Sequence, residues 1–200
     1  GVPELMGCSC TVMGDRIVAA TLLIAAAVTG GEVEVRGFSP ADTGAVLGVL
    51  RRMGARLRVY RDRVQLSAPH RLITPGRVDT APFPGFPTDV QPVLSAAAAL
   101  AEGETVIGEN IFDSRFKHLS QLVQMGADIR IDGRTAYIRG VESLHGAGLK
   151  ALDLRGGAAL VTAALAAEGE SRIGGLQHIE RGYERLEETL SALGAEIERV

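Results

Sequence analysis

Tryptophan is absent from this 200-residue chain, and aromatic residues together make up only 4% of it. Aliphatic and small side chains must therefore form the core, which a hydrophobic content of 46% is sufficient to build. An excess of positive charge is lacking too, because the formal net charge is −3 and the arginines are spread along the sequence. We therefore expect neither a nucleic-acid binder nor a membrane-surface binder, and any anion site must be local.

Cysteine is scarce, with Cys8 and Cys10 as the only two. Their spacing suits neither a zinc site nor an easy disulfide, so we expect ordinary strand residues in a reducing cytosol. The longest strongly apolar stretch, residues 17–28, is too short to span a bilayer. The four histidines show no metal-ligand spacing, and no P-loop or dinucleotide-binding motif occurs. The sequence thus predicts a cytoplasmic protein without metal or cofactor, in which His118 and His178 are structural.

An internal repeat accounts for nearly the whole chain. The segment MGARLRV at 53–59 recurs as MGADIRI at 125–131 and as LGAEIER at 193–199. Each copy follows a small-residue turn into a strand, and further upstream an aspartate precedes an apolar stretch. These aspartates are Asp15, Asp89 and Asp153. The sequence therefore predicts one domain, 1–200, built from three units of roughly 70 residues. Their approximate bounds are 15–70, 88–145 and 152–200.

Each unit predicts the order helix, strand, helix and hairpin. The first helices are apolar on nearly every side, which indicates complete burial, whereas the second helices are amphipathic. The first helices are expected near 16–29, 89–102 and 156–168, and the second near 40–53, 114–125 and 182–193. The predicted fold is therefore α/β, with three buried helices at the centre and the second helices and sheets outside.

Two second helices carry a clear apolar stripe, and one hairpin has a clear turn signal. The stripes consist of Phe116, Leu119, Leu122 and Val123 in one helix, and of Tyr183, Leu186, Leu190 and Leu193 in the other. In the second unit, Asp132 and Gly133 stand between two alternating segments. This pair predicts a type I′ turn.

Both ends of the sequence fall inside a unit. The third unit stops at Val200 after a single predicted strand, and GVPELMG at 1–7 is similar to GVESLHG at 140–146, the end of the second unit. We interpret residues 1–13 as the tail of a preceding unit. The chain is accordingly expected to be a slice of a longer protein.

The repeat predicts a local anion site. Three buried helices related by a pseudo-threefold axis run parallel, so their N-termini meet at one end, each with unpaired N–H groups and about half a positive charge. Arg115, Arg155 and Arg181 are placed to add to this site, although each alone also fits a solvated or salt-bridged surface residue. Asp15 and Asp153 have an ordinary role available as helix N-caps or as acidic residues of a first helical turn.

Asp89 follows an unusual number of prolines, in the stretch APFPGFPTDVQP at 81–92. Each proline fixes its own φ and restricts the residue before it, so the segment can hold one side chain in one place. Two readings stay open. Thr88 or Asp89 caps the following helix, or the Asp89 carboxylate is held ready as a base among the arginines.

Four long motifs are specific enough to suggest a family. They are DTAPFPGFPTDVQP, ENIFDSRFKHLSQLVQMGADIRI, LDLRGGAALVTAALAAEGES and HIERGYERLEETLSALGAEIERV. Together they resemble the UDP-N-acetylglucosamine 1-carboxyvinyltransferase family, the enolpyruvyl transferases that open peptidoglycan synthesis. The resemblance covers essentially the whole chain and implies an inside-out α/β prism, one of the two such domains in the family. This chain resembles the C-terminal one, so the N-terminal domain is an expected partner.

The resemblance also implies roles for individual residues. Asp89 would meet the 3-hydroxyl of the N-acetylglucosamine ring and help take its proton while the oxygen attacks phosphoenolpyruvate. Asp153 would support proton transfer, and Arg181 would hold phosphoenolpyruvate with Arg115 and Arg155 as helpers. Ile111 and Phe112 would lie near the nucleotide sugar and face it with their backbone.

The sequence departs from the family pattern in a few places, and two rival functions are kept. Gly14 replaces a usual proline, Gly156 and Gly157 replace Ala-Ser, and Lys117 replaces a methionine. The family's Lys-Asn pair and loop cysteine belong to the other domain, so this chain alone is expected to be inactive. The rivals are a sister enolpyruvyl transferase acting on shikimate 3-phosphate and a catalytically idle repeat domain that serves as an interaction or regulatory module.

Overall fold

A computed structural model describes all 200 residues. The first unit contains α1 (Arg16–Val28), β1 (Glu32–Arg36), a 3-10 turn (Pro40–Thr43), α2 (Gly44–Arg52), β2 (Arg56–Val59) and β3 (Arg63–Ser67). Strand β4 (Arg77–Asp79) lies between the predicted bounds of the first and second units. The second unit contains α3 (Gln91–Ala98), β5 (Glu104–Gly108), α4 (Leu119–Gln124), β6 (Asp128–Asp132) and β7 (Thr135–Arg139). The third contains β8 (Gly148–Lys150), α5 (Leu154–Leu165), β9 (Arg172–Gly174), α6 (Leu176–Ile179) and α7 (Leu186–Ala192).

Helices α1, α3 and α5 form the centre, and each contacts the other two. Every residue of α3 is buried. Gln91 Nε2 donates to Ser95 Oγ, which in turn donates to the main-chain carbonyl of Gln91, while Gln91 Oε1 has no partner in the chain. Alanine-rich faces let the helices approach closely. The predicted α/β fold with three buried helices is therefore confirmed.

Three sheets pack against this centre. Strands β1, β3 and β2 form an antiparallel sheet, β8 and β9 a parallel pair, and β4, β5, β7 and β6 a four-stranded sheet in which β4 is parallel to β5. Burial alternates along β3 and β7. Alternating side chains therefore face the helices, as expected for sheets with one covered face.

The second helices of units two and three are shorter than predicted. They begin at Leu119 and Leu186 rather than near 114 and 182. Ser114 and Arg185 have φ values of +55° and +45°, so a right-handed helix cannot run through either residue. Helix α7 begins directly after Arg185, whereas residues 115–118 form turns before α4 begins.

The predicted apolar stripes are correct only in part. In both helices the middle of the stripe is buried, whereas Val123 is 48% exposed and Leu193 56% exposed. These two residues lie at the C-terminal ends of short helices, where a stripe residue on the flank no longer faces the core.

The hairpin between β6 and β7 lies where it was predicted, but its turn type was wrong. Asp132 pairs with Thr135, so the two central residues are Gly133 and Arg134. Only Gly133 has a positive φ, of +56°. A type I′ turn needs two such residues, and a glycine at the first central position alone is typical of type II′.

Two strand predictions at the ends of the sequence were also wrong. Cys8 and Cys10 are exposed and lie outside any strand, and residues 195–200 form no strand. A strand requires a hydrogen-bonded neighbour, and no strand of this chain pairs with either segment. None of the helices combines the length and apolar character that a membrane span requires.

Candidate functional site

The starts of the three central helices lie close together. Arg16, the first residue of α1, lies over the ring of Phe83 in the segment before α3, with 5.3 Å between its guanidinium carbon and the ring centroid. Asp89, just before α3, forms an ion pair with Arg155 in the first turn of α5. The predicted meeting of helix starts is therefore seen in side-chain contacts.

The proline-rich segment before α3 is held by a tight turn. The Gly85 amide donates to the Pro82 carbonyl at 2.8 Å, and the Ala81 amide donates to the Phe86 carbonyl at 3.0 Å. A Cβ at Gly85 would lie 2.6 Å from the Ala81 Cβ, so the turn requires glycine. Phe86 is buried and anchors the segment to the core.

Asp89 is not a helix cap, so that alternative is wrong. Helix α3 follows Val90 and has no side-chain cap, and the Thr88 hydroxyl donates to Glu109 instead. The Asp89 carboxylate accepts from Arg115 Nη2 at 2.9 Å and from Arg155 Nη2 at 3.3 Å. The proline-rich segment thus aims this carboxylate at two arginines.

The two guanidiniums are more buried than the carboxylate they share. The side chains of Arg115 and Arg155 are 20% and 12% exposed, and that of Asp89 is 40% exposed. Buried Nε of Arg115, and Nε and Nη1 of Arg155, have no acceptor in the chain. One carboxylate therefore leaves this cluster with a formal charge of +1 and three unpaired donors, which is suited to an oxyanion.

Aromatic rings support both arginines. Arg155 lies over the ring of Tyr183 at 5.4 Å, and the Tyr183 hydroxyl is 2.8 Å from Thr21 Oγ1 in α1. Arg115 lies over the ring of Phe112 at 5.7 Å. Stacking of this kind orients a guanidinium without using its N–H groups.

Asp153 and His118 lie near Arg115 and Arg155. Asp153 caps α5, as predicted, since its Oδ1 accepts from the Gly156 amide at 2.8 Å, while its Oδ2 accepts no hydrogen bond. Asp15 caps α1 in the same way. His118 is buried, and neither ring nitrogen has a partner. Burial lowers the pKa of His118 to about 4, with the Arg115 charge lowering it further and Asp153 opposing this.

The remaining predicted residues lie in two other places. The amides of Ile111 and Phe112 both donate to Glu109 Oε1, so only their carbonyls are left for a ligand. Arg181 is exposed and forms no ion pair or hydrogen bond within the chain, so it does not join the Asp89 cluster. His178 is half-buried. An open cleft of about 280 Å³ adjoins Arg115 and is lined also by Phe112 and Arg134.

Sequence reasoning missed Glu109, which is only 1% exposed and receives four hydrogen bonds. A single sequence carries no signal for it, because a glutamate directly after a strand is ordinarily solvated. No three His, Cys, Asp or Glu side chains are grouped to hold a metal ion.

Comparison with known sequences points to one family. Residues 1–190 match the family model described as EPSP synthase (3-phosphoshikimate 1-carboxyvinyltransferase). A UDP-N-acetylglucosamine 1-carboxyvinyltransferase of Zymomonas mobilis is 49% identical over the whole chain, and one of Symbiobacterium thermophilum is 50% identical. The chain spans about half the length of these curated relatives, 47% and 45% respectively.

Solved structures agree with this assignment. The enolpyruvyl transferase NikO from Streptomyces tendae matches 94% of the chain with a TM-score of 0.83 at 31% identity, over 45% of its own length. EPSP synthase from Acinetobacter baumannii matches with a TM-score of 0.73 at 24% identity, which shows the shared fold.

Proposed function

The chain belongs to the EPSP synthase family, and from that premise we propose that it is part of an enzyme that transfers enolpyruvate from phosphoenolpyruvate to the 3-hydroxyl of UDP-N-acetylglucosamine. The relatives that share 49% and 50% of its residues are named for that activity. The proposed setting is the cytoplasm, at the first committed step of bacterial peptidoglycan synthesis, and the proposed partner is the portion of the relatives that this chain does not match.

One observation carries the proposal: a partly exposed carboxylate lies between two guanidiniums with unpaired donors. The reaction needs both groups at one place. A base must take the proton of the sugar hydroxyl as its oxygen attacks C2 of phosphoenolpyruvate, and cations must hold the phosphate of that substrate. Asp89 supplies the base, and Arg115 and Arg155 supply the cations.

Asp153 and Arg181 complete the proposed set of catalytic residues. The free Oδ2 of Asp153 lies beside the first turn of α5 and would pass the proton that C3 of phosphoenolpyruvate gains on addition and loses on elimination. Arg181 has no partner within the chain, so its guanidinium is free for the carboxylate or phosphate of phosphoenolpyruvate. Loss of phosphate from the tetrahedral adduct then yields the enolpyruvyl ether.

The backbone at Ile111 and Phe112 is proposed to contact the nucleotide sugar. Since the amides of both residues are taken by Glu109, the contact would use their carbonyl oxygens as acceptors for sugar hydroxyl or amide groups. Phe112 is 53% exposed, and Arg115 lies over the face of its ring.

Phosphate release by the full-length enzyme tests the proposal directly. We expect turnover with phosphoenolpyruvate and UDP-N-acetylglucosamine, and background with shikimate 3-phosphate in its place. Turnover with shikimate 3-phosphate alone would favour the sister enzyme whose name the family model carries, and no turnover with either acceptor would favour an idle interaction module. The 200-residue chain by itself is expected to stay at background.

A matched pair of arginine variants links this activity to the site. Arg155→Gln removes two unpaired donors and should lower kcat/KM by about 10² or more, by analogy with loss of a preorganised charge-stabilising donor. Arg172→Gln removes an exposed arginine that pairs with Glu170 and not with Asp89, and it should leave kcat/KM unchanged. Equal effects of the two variants would contradict the assigned site.

A further inference from the structure

Glu109 is a buried carboxylate without a cation. Its side chain forms no ion pair and is held by neutral donors alone: Oε1 accepts from Thr80 Oγ1 at 2.9 Å and from the amides of Ile111 and Phe112 at 2.9 and 3.1 Å, and Oε2 accepts from Thr88 Oγ1 at 2.9 Å. A charged group is retained at such a position only when its acceptor sites are well satisfied. Here both oxygens are occupied.

Hydrogen bonds of its main chain fix the position of Glu109. Glu109 directly follows β5, and its amide donates to the Arg134 carbonyl at 2.8 Å while Arg134 Nε donates to the Glu109 carbonyl at 2.9 Å. The neighbouring Asn110 is tied to Thr80 through two further hydrogen bonds. The side chain of Glu109 is therefore directed at the proline-rich segment before α3.

Two segments that bear proposed substrate contacts meet at this one carboxylate. Thr88 immediately precedes Asp89, and Ile111 and Phe112 carry the carbonyls proposed to face the nucleotide sugar. We propose that Glu109 is a positioning residue that sets the distance between the Asp89 base and the Ile111–Phe112 backbone. This inference rests on the proposed function, and it adds to that function a residue that touches neither substrate.

The expected effect follows from how steeply transfer depends on geometry. A displacement of about 1 Å at a reacting group can cost about 10²-fold in rate. Glu109→Ala leaves four donors without an acceptor and frees both segments. In the full-length enzyme, kcat/KM should therefore fall by about 10²-fold. Glu109→Gln keeps one oxygen for the three donors at Oε1 and places its amide against Thr88, whose hydroxyl can accept, so it should stay within about tenfold of wild type.

Thr88→Val tests the hydrogen bond at Oε2 of Glu109 separately from the three hydrogen bonds at Oε1. It removes only the Oε2 contact, so it should lower kcat by about tenfold while the KM for the nucleotide sugar changes little. Combined with Glu109→Ala it should cost no more than Glu109→Ala alone, since both variants break the same contact. Val64→Ala, a core substitution in β3 of the other large sheet, serves as the control for lost stability.

Hydrogen exchange of the amides in the 200-residue chain gives a readout that does not need activity. The Ile111 and Phe112 amides should exchange at least tenfold faster in Glu109→Ala than in the wild type. In Thr88→Val and Val64→Ala their exchange rates should be unchanged. Normal exchange at both amides in Glu109→Ala, or kinetic constants within twofold of wild type in that variant, would overturn the inference. A wild-type enzyme that transfers no enolpyruvate would contradict the proposed function instead, and the exchange result would still decide whether Glu109 holds the loop.

Discussion

At the scale of single residues, the Asp89 carboxylate tests the site most directly. Asp89→Asn keeps the shape and some hydrogen bonding but cannot take a proton near neutral pH. In the full-length enzyme we expect kcat to fall by about 10²–10⁴, the usual effect of removing a general base. The melting temperature should change by only a few degrees, because the carboxylate is 40% exposed and the asparagine oxygen can still accept a hydrogen bond from an arginine.

The control for this variant is another ion-paired aspartate. Asp62 lies 3.4 Å from Arg63 in the hairpin between β2 and β3, and it forms no ion pair with Arg115 or Arg155. Asp62→Asn should leave both kcat and melting unchanged. A near-normal kcat in Asp89→Asn would remove the carboxylate from the proposed chemistry and leave it only the role of organising Arg115 and Arg155.

His118 predicts a pH dependence of stability. Its folded pKa of about 4 lies below its ordinary value of 6.5, so between these values the unfolded chain binds a proton that the folded chain does not. The free energy of unfolding should therefore fall as the pH is lowered from about 7 to 4, and this group adds no further loss below that. At about 1.4 kcal/mol per pKa unit, the loss is on the order of 3 kcal/mol.

Urea unfolding of the chain at a series of pH values measures this dependence. The matched variant His118→Leu removes the titrating group and keeps an apolar side chain at the buried position. Its unfolding free energy should fall less steeply over the same interval, while Asp and Glu side chains contribute equally to both proteins. Parallel profiles would show that His118 does not carry the effect.

At the scale of elements, the first turn of α5 depends on glycine. A Cβ at Gly157 would lie 2.5 Å from Ile179 Cγ1 and 3.0 Å from the Ala151 Cβ, both in the core. Helix propensity favours alanine by about 0.5–1 kcal/mol, but overpacking typically costs about 1–3 kcal/mol. Gly157→Ala should therefore destabilise the chain, by about 1 kcal/mol, in urea unfolding.

Gly48 in α2 provides the matched control. It also lies inside a helix, but a Cβ there would meet no atom within 4 Å. Gly48→Ala should stabilise the chain by about 0.5–1 kcal/mol, since propensity alone acts. If both variants stabilised the chain, the packing of α6 against α5 would be looser than the structure shows.

Element positions were largely predictable, because they depend on local periodicity. Burial of α1, α3 and α5 followed from stretches that are apolar on every side. The late starts of α4 and α7 could not be predicted, because neither a serine at 114 nor an arginine at 185 indicates a left-handed backbone. The helix repeat and the proline-rich segment indicated Asp89, Arg115 and Arg155 as candidate site residues, and the resemblance to known motifs added their roles. Their pairing depends on contacts between residues 26 and 66 positions apart, which periodicity cannot predict.

At the scale of the whole molecule, the three units share one core. The buried hydrophobic residues form a single cluster that includes members of α1, α3 and α5, and each of these helices contacts both others. Stacked repeat arrays differ, because each repeat there contacts only its neighbours and can unfold separately. A closed set of three helices leaves no unit that can detach without exposing the core of the other two.

The closed arrangement predicts that the units unfold together, and the scarcity of aromatic residues makes this measurable. Tryptophan is absent and only three tyrosines occur, Tyr60, Tyr137 and Tyr183, one in each unit. Three variants that each keep one tyrosine, with the others changed to phenylalanine, report the units by fluorescence. In each variant the fluorescence midpoint in urea should coincide with the midpoint of the far-UV circular dichroism of that same variant. The comparison stays within each variant, since loss of the Tyr183–Thr21 hydrogen bond will lower some midpoints. A fluorescence midpoint that departs from the dichroism midpoint would show a unit that unfolds on its own, and the chain would then not be the single domain that its sequence predicts.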